Sequence, residues 1–271
     1  MEMQTDAVPA DPPVFDIQDS SYEFELDAYG LDSFVQTAAT FDRDRFGYVV
    51  TPNVDHMIRL RDSIQFRRLY QAAAYVLLDS RLLARLLWLF RHQDIPVCTG
   101  SDLTRVLFER VIETHDRIVL IGASAQQAEM LRQRHGLTGL VHYNPPMGFV
   151  HNPKEVERCL EFVEAYSPCR FCLLAVGSPQ QELLANALQM RGKAHGLALC
   201  VGASIDFLTG VEQRAPLWMQ HQGLEWLYRL AQNPARLGQR YLRCAAQLFG
   251  LLFHGHFTLR QSGAAAPKSL H

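Results

Sequence analysis

Short runs of apolar and β-branched residues alternate along the chain with longer segments in which apolar residues recur every three or four positions. The short runs predict strands at Tyr48–Thr51, Val76–Leu78, Ile118–Ile121, Leu140–Tyr143, Phe171–Val176 and Leu197–Val201. The periodic segments predict helices at Ile58–Ala74, Arg81–Phe90, Ala125–Arg134, Pro153–Ala165 and Pro179–Met190. Strands that alternate with helices indicate an α/β fold, with a largely parallel, Rossmann-like sheet flanked by helices.

Charge and pattern divide the chain into four segments. Residues 1–45 hold eleven Asp and Glu against two Arg and show little periodicity, so we expect an acidic, partly disordered extension. The α/β core is expected over residues 46–210. Residues 211–257 are basic and helical in pattern, which predicts a helical appendage directed toward a membrane surface. A flexible tail is expected over residues 258–271.

The composition argues against several classes of protein. A formal net charge of -2 lacks the excess of positive charge typical of nucleic-acid binders, so we expect no nucleic-acid partner. The N-terminus does not resemble a secretory signal, and the apolar stretches fall short of the roughly 20 residues that span a bilayer. Cys169 and Cys172 form a CxxC pair beside an apolar run, for which buried thiols are favoured over a metal or redox site. Reduced thiols indicate a cytoplasmic location.

Three predicted strands end in small or polar loops that lead directly into helices. The loops contain Gly122, Gly177 and Gly202. In open α/β sheets, ligands collect at the carboxyl ends of the strands, where helix N-termini offer N–H groups to anions. The loops therefore predict a site for a phosphate-bearing ligand, with simple turn geometry as the alternative for each glycine. Because GxGxxG and Walker A sequences are absent, ordinary dinucleotide and P-loop sites are disfavoured.

An ordered series of motifs runs through the same region. The motifs are Thr51-Pro52-Asn53, Asp79, Thr99-Gly100-Ser101-Asp102, Gly177-Ser178-Pro179-Gln180-Gln181-Glu182, Gly202-Ala203-Ser204-Ile205-Asp206, Arg214-Ala215-Pro216, Gly223-Leu224-Glu225-Trp226, Tyr228-Arg229-Leu230, Asn233-Pro234, Arg236 and Arg240-Tyr241. In this order and spacing, the chain resembles the WecG/TagA/CpsF glycosyltransferases from about Tyr48 to Phe249. It departs from the usual family residues at Ser80, Gln180 and Ala203, where Gly, Lys and Gly are common.

The resemblance implies an inverting, UDP-sugar-dependent hexosyltransferase. The donor sugar would be of the N-acetylmannosamine, N-acetylmannosaminuronate or glucose type, and the acceptor an undecaprenyl (polyprenyl) diphosphate-linked saccharide of bacterial exopolysaccharide or cell-envelope polysaccharide biosynthesis. The enzyme would lie peripherally on the inner face of the cytoplasmic membrane, as a monomer or a homo-oligomer. Two alternatives stay open: a non-catalytic nucleotide-sugar-binding component of an assembly complex, and a nucleotide-sugar hydrolase.

Candidate site residues follow the predicted strands. Asp79 comes after an apolar run and before a helix, so it is either a helix N-cap or a general base that faces a cleft; the resemblance implies the base. Thr51 and Asn53 either cap the next helix or bind sugar and acceptor oxygens, and the resemblance favours the pocket. Asp102 is expected either to cap a helix or to face the acceptor.

Further polar residues are candidates for contact with the nucleotide. Gln181 and Glu182 open a predicted helix, where they would contact the uracil or the ribose; for Glu182, a favourable charge in the first helical turn is the alternative. Asp206 is either a ribose or sugar contact or a turn and cap residue.

Arginines are expected to stabilise the departing diphosphate in place of a metal ion. The Asp42-Arg43-Asp44 sequence does not lie at a strand end, so we expect a metal-independent reaction without a cofactor. If their segment is helical, one face would carry Arg229, Arg236, Arg240 and Arg243, with a solvated basic surface as the alternative. Arg214 and Arg236 are the preferred candidates for contact with the diphosphate.

Overall fold

A six-stranded parallel sheet forms the centre of the molecule. The computed structural model describes residues 22–261, apart from the side chain of Arg236. Its strands are β1 (Tyr22–Asp27), β2 (Phe46–Val50), β3 (Tyr75–Val76), β4 (Ile118–Gly122), β5 (Leu140–Tyr143), β6 (Phe171–Ala175), β7 (Gly196–Cys200) and β8 (Gly255–Arg260). The sheet order is β3-β2-β7-β6-β4-β5, and β1 and β8 pair separately. All six strands predicted from the sequence are present.

Helices cover both faces of the sheet, as predicted for an α/β fold. They are α1 (Leu31–Ala39), α2 (Val54–Asp62), α3 (Ile64–Gln71), α4 (Arg81–Arg91), α5 (Gly100–Arg110), α6 (Ala125–His135), α7 (Pro153–Ala165), α8 (Gln180–Arg191), α9 (Ser204–Thr209), α10 (Leu217–His221), α11 (Glu225–Gln232) and α12 (Pro234–His254). The single helix predicted over Ile58–Ala74 is instead two, because the Ser63 Oγ accepts a hydrogen bond from the Phe66 N–H and starts a new helix.

Two apolar layers sandwich the sheet. Successive residues of each central strand point to opposite layers: Val119 and Ile121 of β4 lie in one, and Ile118 and Leu120 in the other. All five residues of β4 and of β7 are buried. Continuous apolar runs are therefore required here, as is usual for parallel strands covered on both faces.

The expectation for the N-terminal extension needs correction over residues 22–45. This part contains β1 and α1, whose Phe24, Leu26 and Phe34 are buried in the core. The acidic residues Glu23 and Glu25 alternate with these apolar side chains on β1 and face solvent. Strand alternation thus accounts for these two acidic residues. Residues 1–21 of the predicted extension lie outside the described residues.

The C-terminal segment contains α10, α11 and α12 and ends in a strand. β8 pairs in parallel with β1 and extends into the region predicted as a flexible tail. The Asp27 carboxylate accepts hydrogen bonds from Arg260 (2.7 Å) and from the Val76 N–H of β3 (2.6 Å), so it ties both terminal strands to the sheet. None of the helices described in residues 22–261 combines the length and apolarity needed to cross a membrane. The direction of this segment toward a membrane stays a prediction.

Candidate active site

A cleft of about 220 Å³ opens at the carboxyl ends of β2 and β3. The loops after these two strands form one wall, and α11 and α12 form the opposite wall. The lining residues are Asn53, Val54, Asp55, Asp79, Ser80, Arg81, Leu82, Thr99, Gln220, Gly223, Glu225, Trp226, Arg229, Arg240, Tyr241, Cys244, Ala245 and Leu248. The cleft therefore lies between the α/β core and the C-terminal helices.

Asp79 lies in this cleft, three residues beyond the end of β3. Its N–H donates to the Pro52 carbonyl (2.8 Å), and one carboxylate oxygen accepts a hydrogen bond from the Gly100 N–H (3.3 Å). Ser80, and not Asp79, caps α4, because its Oγ accepts from the Leu83 N–H. Desolvation raises the pKa of Asp79 to about 6, against the opposing effects of Arg229 and the Gly100 N–H. The carboxylate is thus available for chemistry.

Thr51 and Asn53 follow β2, and Asn53 lines the cleft with Asp79, whereas Thr51 does not line it. A Cβ added at Gly100 would lie 2.9 Å from Thr51 Oγ1 and 3.7 Å from Asp79 Oδ2, so the glycine keeps space beside both groups. The Asn53 Oδ1 caps α2 by accepting from the Asp55 and His56 N–H groups (3.0 and 3.3 Å). Asn53 therefore both caps a helix and lines the cleft. Substrate contacts by either side chain stay predictions.

Asp102 is held in an ion-pair cluster behind the cleft wall. Its two oxygens accept from Arg81 (2.5 Å) and Arg214 (2.7 Å). Burial alone would raise the pKa of Asp102, but the hydrogen bonds and charges of Arg214 and Arg81 lower it to about 2. The cap of α5 is Thr99, so Asp102 neither caps the helix nor lines the cleft. Its observed role is to join α4 and α5 to the segment that precedes α10.

The arginines that line the cleft differ from those preferred on sequence grounds. Arg81, Arg229 and Arg240 line it, whereas Arg214 is occupied by Asp102 and approaches Glu225 (3.5 Å). Sequence reasoning missed Arg81, although its place in the first turn after Asp79 was an available signal. The side chain of Arg236 lies outside the described part of the structure.

Arg229 and Arg240 reach the cleft from two different helices. Arg229 pairs with Glu225 within α11 (3.2 Å), and its guanidinium lies 4.6 Å from the Phe207 ring centroid. Arg240 of α12 lies against the Tyr241 ring and forms no ion pair with the residues described. Asn233 separates the two helices. The arginines therefore do not share one helical face, which was predicted only for a continuous helix. The tertiary fold nevertheless brings both guanidinium groups to one cavity.

The three predicted glycine loops lie at the same edge of the sheet, away from β3. Gly122 is the last residue of β4, whereas Gly177 and Gly202 follow β6 and β7. The three glycines have φ of +88°, +80° and +51°, respectively. β4 and β6 are neighbours whose chain connections run in opposite directions, which is where open sheets form ligand crevices. β6 lies three strand spacings from β3, or about 14 Å. The carboxyl edge of the sheet thus carries two regions, the Asp79 cleft and the three glycine loops.

Gln181, Glu182 and Asp206 support these loops through internal hydrogen bonds. The Gln181 Oε1 accepts from the Gly202 N–H (2.9 Å), and its Nε2 donates to the buried Glu182 carboxylate (3.1 Å). Asp206 accepts from Gln127 Nε2 (2.7 Å). None of the three lines the Asp79 cleft. Uracil, ribose or sugar contacts by these residues stay predictions.

Among residues 22–261, no three His, Cys, Asp or Glu side chains come together in a way that could hold a metal ion. All six cysteines, including Cys169 and Cys172, are buried and free, and burial raises the pKa of both thiols in the pair. Metal independence stays a prediction. The cleft combines a proton-accepting carboxylate with guanidinium groups, so it can deprotonate a hydroxyl next to an anionic group.

Residues 20–262 match the sequence model of the glycosyl transferase WecG/TagA/CpsF family. The match covers both the α/β core and the C-terminal helices that close the cleft. The chain therefore belongs to this family, and membership supports a glycosyltransferase role in polysaccharide biosynthesis.

Proposed function

From this family membership and the geometry of the cleft, we propose that the protein is an inverting hexosyltransferase. It transfers a sugar from a UDP-sugar to a polyprenyl-diphosphate-linked saccharide. The observation that carries the proposal is Asp79: its carboxylate lies free of any capping role in a cleft that is also lined by arginines. The hexose is of the N-acetylmannosamine, N-acetylmannosaminuronate or glucose type.

The reaction is a single displacement. Asp79 takes the proton of an acceptor hydroxyl, the hydroxyl oxygen attacks the anomeric carbon, and the bond from that carbon to the diphosphate oxygen breaks. UDP leaves with the bonding electron pair, and the proton remains on Asp79. Because attack and departure occur on opposite sides of one carbon, the anomeric configuration inverts.

Guanidinium groups stabilise the charge that develops on the diphosphate. Arg240 is the best placed, because it lies in the cleft without an ion-pair partner among the described residues. Arg229 and Arg81 add positive charge to the same walls, although each also has an acidic partner. Such groups act most strongly where water is excluded. This arrangement supports a metal-independent reaction that needs no cofactor.

The donor spans the sheet edge between the two regions. Its nucleoside lies near the Gly122 and Gly177 loops, and its sugar reaches the Asp79 cleft. The separation of about 14 Å between β6 and β3 supports an extended nucleoside diphosphate sugar as ligand. Gly202, braced by Gln181, lies between the two regions because β7 is between β6 and β2.

The acceptor approaches from the inner face of the cytoplasmic membrane, where the protein binds peripherally. Support comes from α12, a 21-residue amphipathic helix that contains arginines and no Asp or Glu. Nucleic acid is not a partner in this proposal, and assembly into a homo-oligomer is compatible with it.

The test is donor binding followed by transfer. Thermal unfolding is measured with UDP, UDP-glucose, UDP-N-acetylmannosamine, UDP-N-acetylmannosaminuronate and GDP-mannose, each with Mg²⁺ or EDTA. We expect the UDP compounds, but not GDP-mannose, to raise the unfolding temperature, both in EDTA and in Mg²⁺. The stabilising donor is then incubated with a lipid-linked acceptor, and the anomeric configuration of the product is determined.

Each rival function predicts a different result in the same assays. Stabilisation by UDP without transfer to any acceptor would indicate a non-catalytic binding component. Rapid release of UDP in the absence of an acceptor would indicate a nucleotide-sugar hydrolase. Stabilisation that disappears in EDTA would contradict metal independence.

A further inference from the structure

Helix α4 of the α/β core presents large apolar side chains to solvent. Trp88, Leu89 and Phe90 are 59%, 58% and 52% exposed, respectively, and occupy the last turns of the helix. The residues that α4 buries are Leu83 and Leu87. An exposed cluster of this kind exceeds the scattered single apolar side chains of an ordinary protein surface.

Helix α12 extends the same apolar region. The Phe90 and Phe253 ring centroids lie 6.3 Å apart, and Phe249 stacks on Phe253 with an interplanar angle of 8°. Leu242 lies seven residues before Phe249, on the same side of the helix. We call these six residues, Trp88, Leu89, Phe90, Leu242, Phe249 and Phe253, the α4–α12 surface. It joins the core to the C-terminal helices.

The charges of the two helices are all of one sign. α4 contains Arg81, Arg85 and Arg91, α12 contains Arg236, Arg240 and Arg243, and neither helix contains Asp or Glu. Apolar and aromatic side chains between arginines are typical of helices that lie in a membrane interface. Arg85, Arg91 and Arg243 do not line the cleft, and their positive charge complements a surface of negative charge, whereas a second copy of this chain would present the same positive charge.

We propose that the α4–α12 surface binds an anionic lipid bilayer, so that the α/β core itself contacts lipid through α4. The inference rests on the proposed function, for which it specifies how the core meets the acceptor. α4 begins two residues after Asp79, and the ten helical steps from Ser80 to Phe90 span about 15 Å. α4 thus separates the base from the apolar side chains by the depth of a polar headgroup, which suits an acceptor whose sugar and diphosphate precede its lipid.

The test compares glutamate substitutions in a vesicle-binding assay with the full chain. Vesicles contain either phosphatidylethanolamine with phosphatidylglycerol, or phosphatidylcholine alone. The variants are Trp88→Glu, Phe249→Glu and, as a control, Met190→Glu, which changes a side chain that is 67% exposed on α8. Leu89→Glu provides a second α4 variant, and circular dichroism verifies that each variant is folded.

We expect Trp88→Glu, Leu89→Glu and Phe249→Glu each to lower the partition onto anionic vesicles about tenfold. Met190→Glu should bind like the wild type, and phosphatidylcholine vesicles should bind the wild type weakly. Wild-type binding by both α4 variants, with loss in Phe249→Glu alone, would overturn the role of the core. The proposal would also be overturned if the α4 variants changed from dimer to monomer in sedimentation velocity but bound vesicles like the wild type. Absence of the UDP shift in the wild type would contradict the proposed function and leave the lipid result intact.

Discussion

Burial and neighbouring groups have opposing effects on the pKa of the Asp79 carboxyl. Desolvation raises its pKa to about 6, while the positive charge of Arg229 and the Gly100 N–H favour the ionised form. A carboxylate with this pKa is mostly ionised at neutral pH and is more basic than an ordinary aspartate, so it suits proton abstraction from a hydroxyl.

Replacing this single carboxylate tests the chemistry directly. We expect Asp79→Asn to lower kcat for sugar transfer by about 100-fold to 10,000-fold, because the amide cannot accept the proton. The thermal shift with UDP should persist, which would show that the donor site is intact. Asp32→Asn, which changes an exposed aspartate on α1, is the control and should keep wild-type turnover. Unchanged turnover in a folded Asp79→Asn protein would exclude the proposed base.

The pH dependence of the reaction should report the same group. Because the base must be ionised, kcat/KM of the wild type should rise with pH through about 6 and level off above it. The measurement is transfer at subsaturating donor from pH 4.5 to 8.5. An activity that falls as the pH rises through 6 would contradict a base with this pKa.

At the scale of elements, the spacing of β4 and β6 depends on Gly122. Its φ is +88°, and an added Cβ would lie 2.6 Å from the Ala175 carbonyl oxygen. We expect Gly122→Ala to lower the free energy of unfolding by about 2 kcal/mol or more, measured by urea denaturation. Gly177→Ala is the matched control, because its φ is +80° but its Cβ would meet no atom within 4 Å; it should cost about 1–2 kcal/mol. Equal costs would show that the close approach is unimportant.

Asp102 connects α5 to the start of the C-terminal segment. We expect Asp102→Asn to lower the free energy of unfolding by about 2–3 kcal/mol at pH 7, because two guanidinium groups lose their charged partner. Glu109→Gln removes an exposed partner from Arg105 and should cost less than about 1 kcal/mol.

The effect of Asp102 should depend on pH in a defined direction. The pKa of Asp102 is lowered to about 2 in the folded protein. Its contribution to the free energy of unfolding is therefore complete above the ordinary aspartate pKa of about 4. The contribution is lost as the pH falls from about 4 toward 2. The difference in stability between wild type and Asp102→Asn should therefore narrow over that range.

At the scale of the whole molecule, the C-terminal helices supply one wall of the cleft. α11 has no buried residue, and its contacts to other elements include the Glu225 approach to Arg214 and the Arg229 contact with Phe207. Elements with few buried contacts open locally at low free-energy cost.

A bound donor should therefore stabilise α11 selectively. We expect backbone hydrogen exchange in α11 to be faster than in α7 without ligand, and to slow when the stabilising UDP-sugar is added. α7 packs on the core and serves as the internal control. Mass spectrometry of peptides from both helices measures the exchange. Equal slowing in α7 and α11 would indicate general stabilisation in place of closure.

Much of the α/β core follows from local sequence pattern. Runs such as Ile118–Ile121 are continuously apolar because parallel strands are buried on both faces, and the helices show the periodicity of one buried side. Asp79 was recognisable for the same reason, since a polar residue directly after a buried strand must lie at the sheet edge. The motif series led to the same residue.

Only the tertiary structure decided which residues meet. Asp102 and Arg214 are 112 positions apart, and β1 pairs with β8 across nearly the whole chain, so no local periodicity reports either contact. Arg81 and Arg240 line one cleft because α12 folds back over the carboxyl ends of β2 and β3. Local pattern determines which side of an element is apolar. Packing between distant elements determines which guanidinium pairs with a carboxylate and which remains available for a ligand.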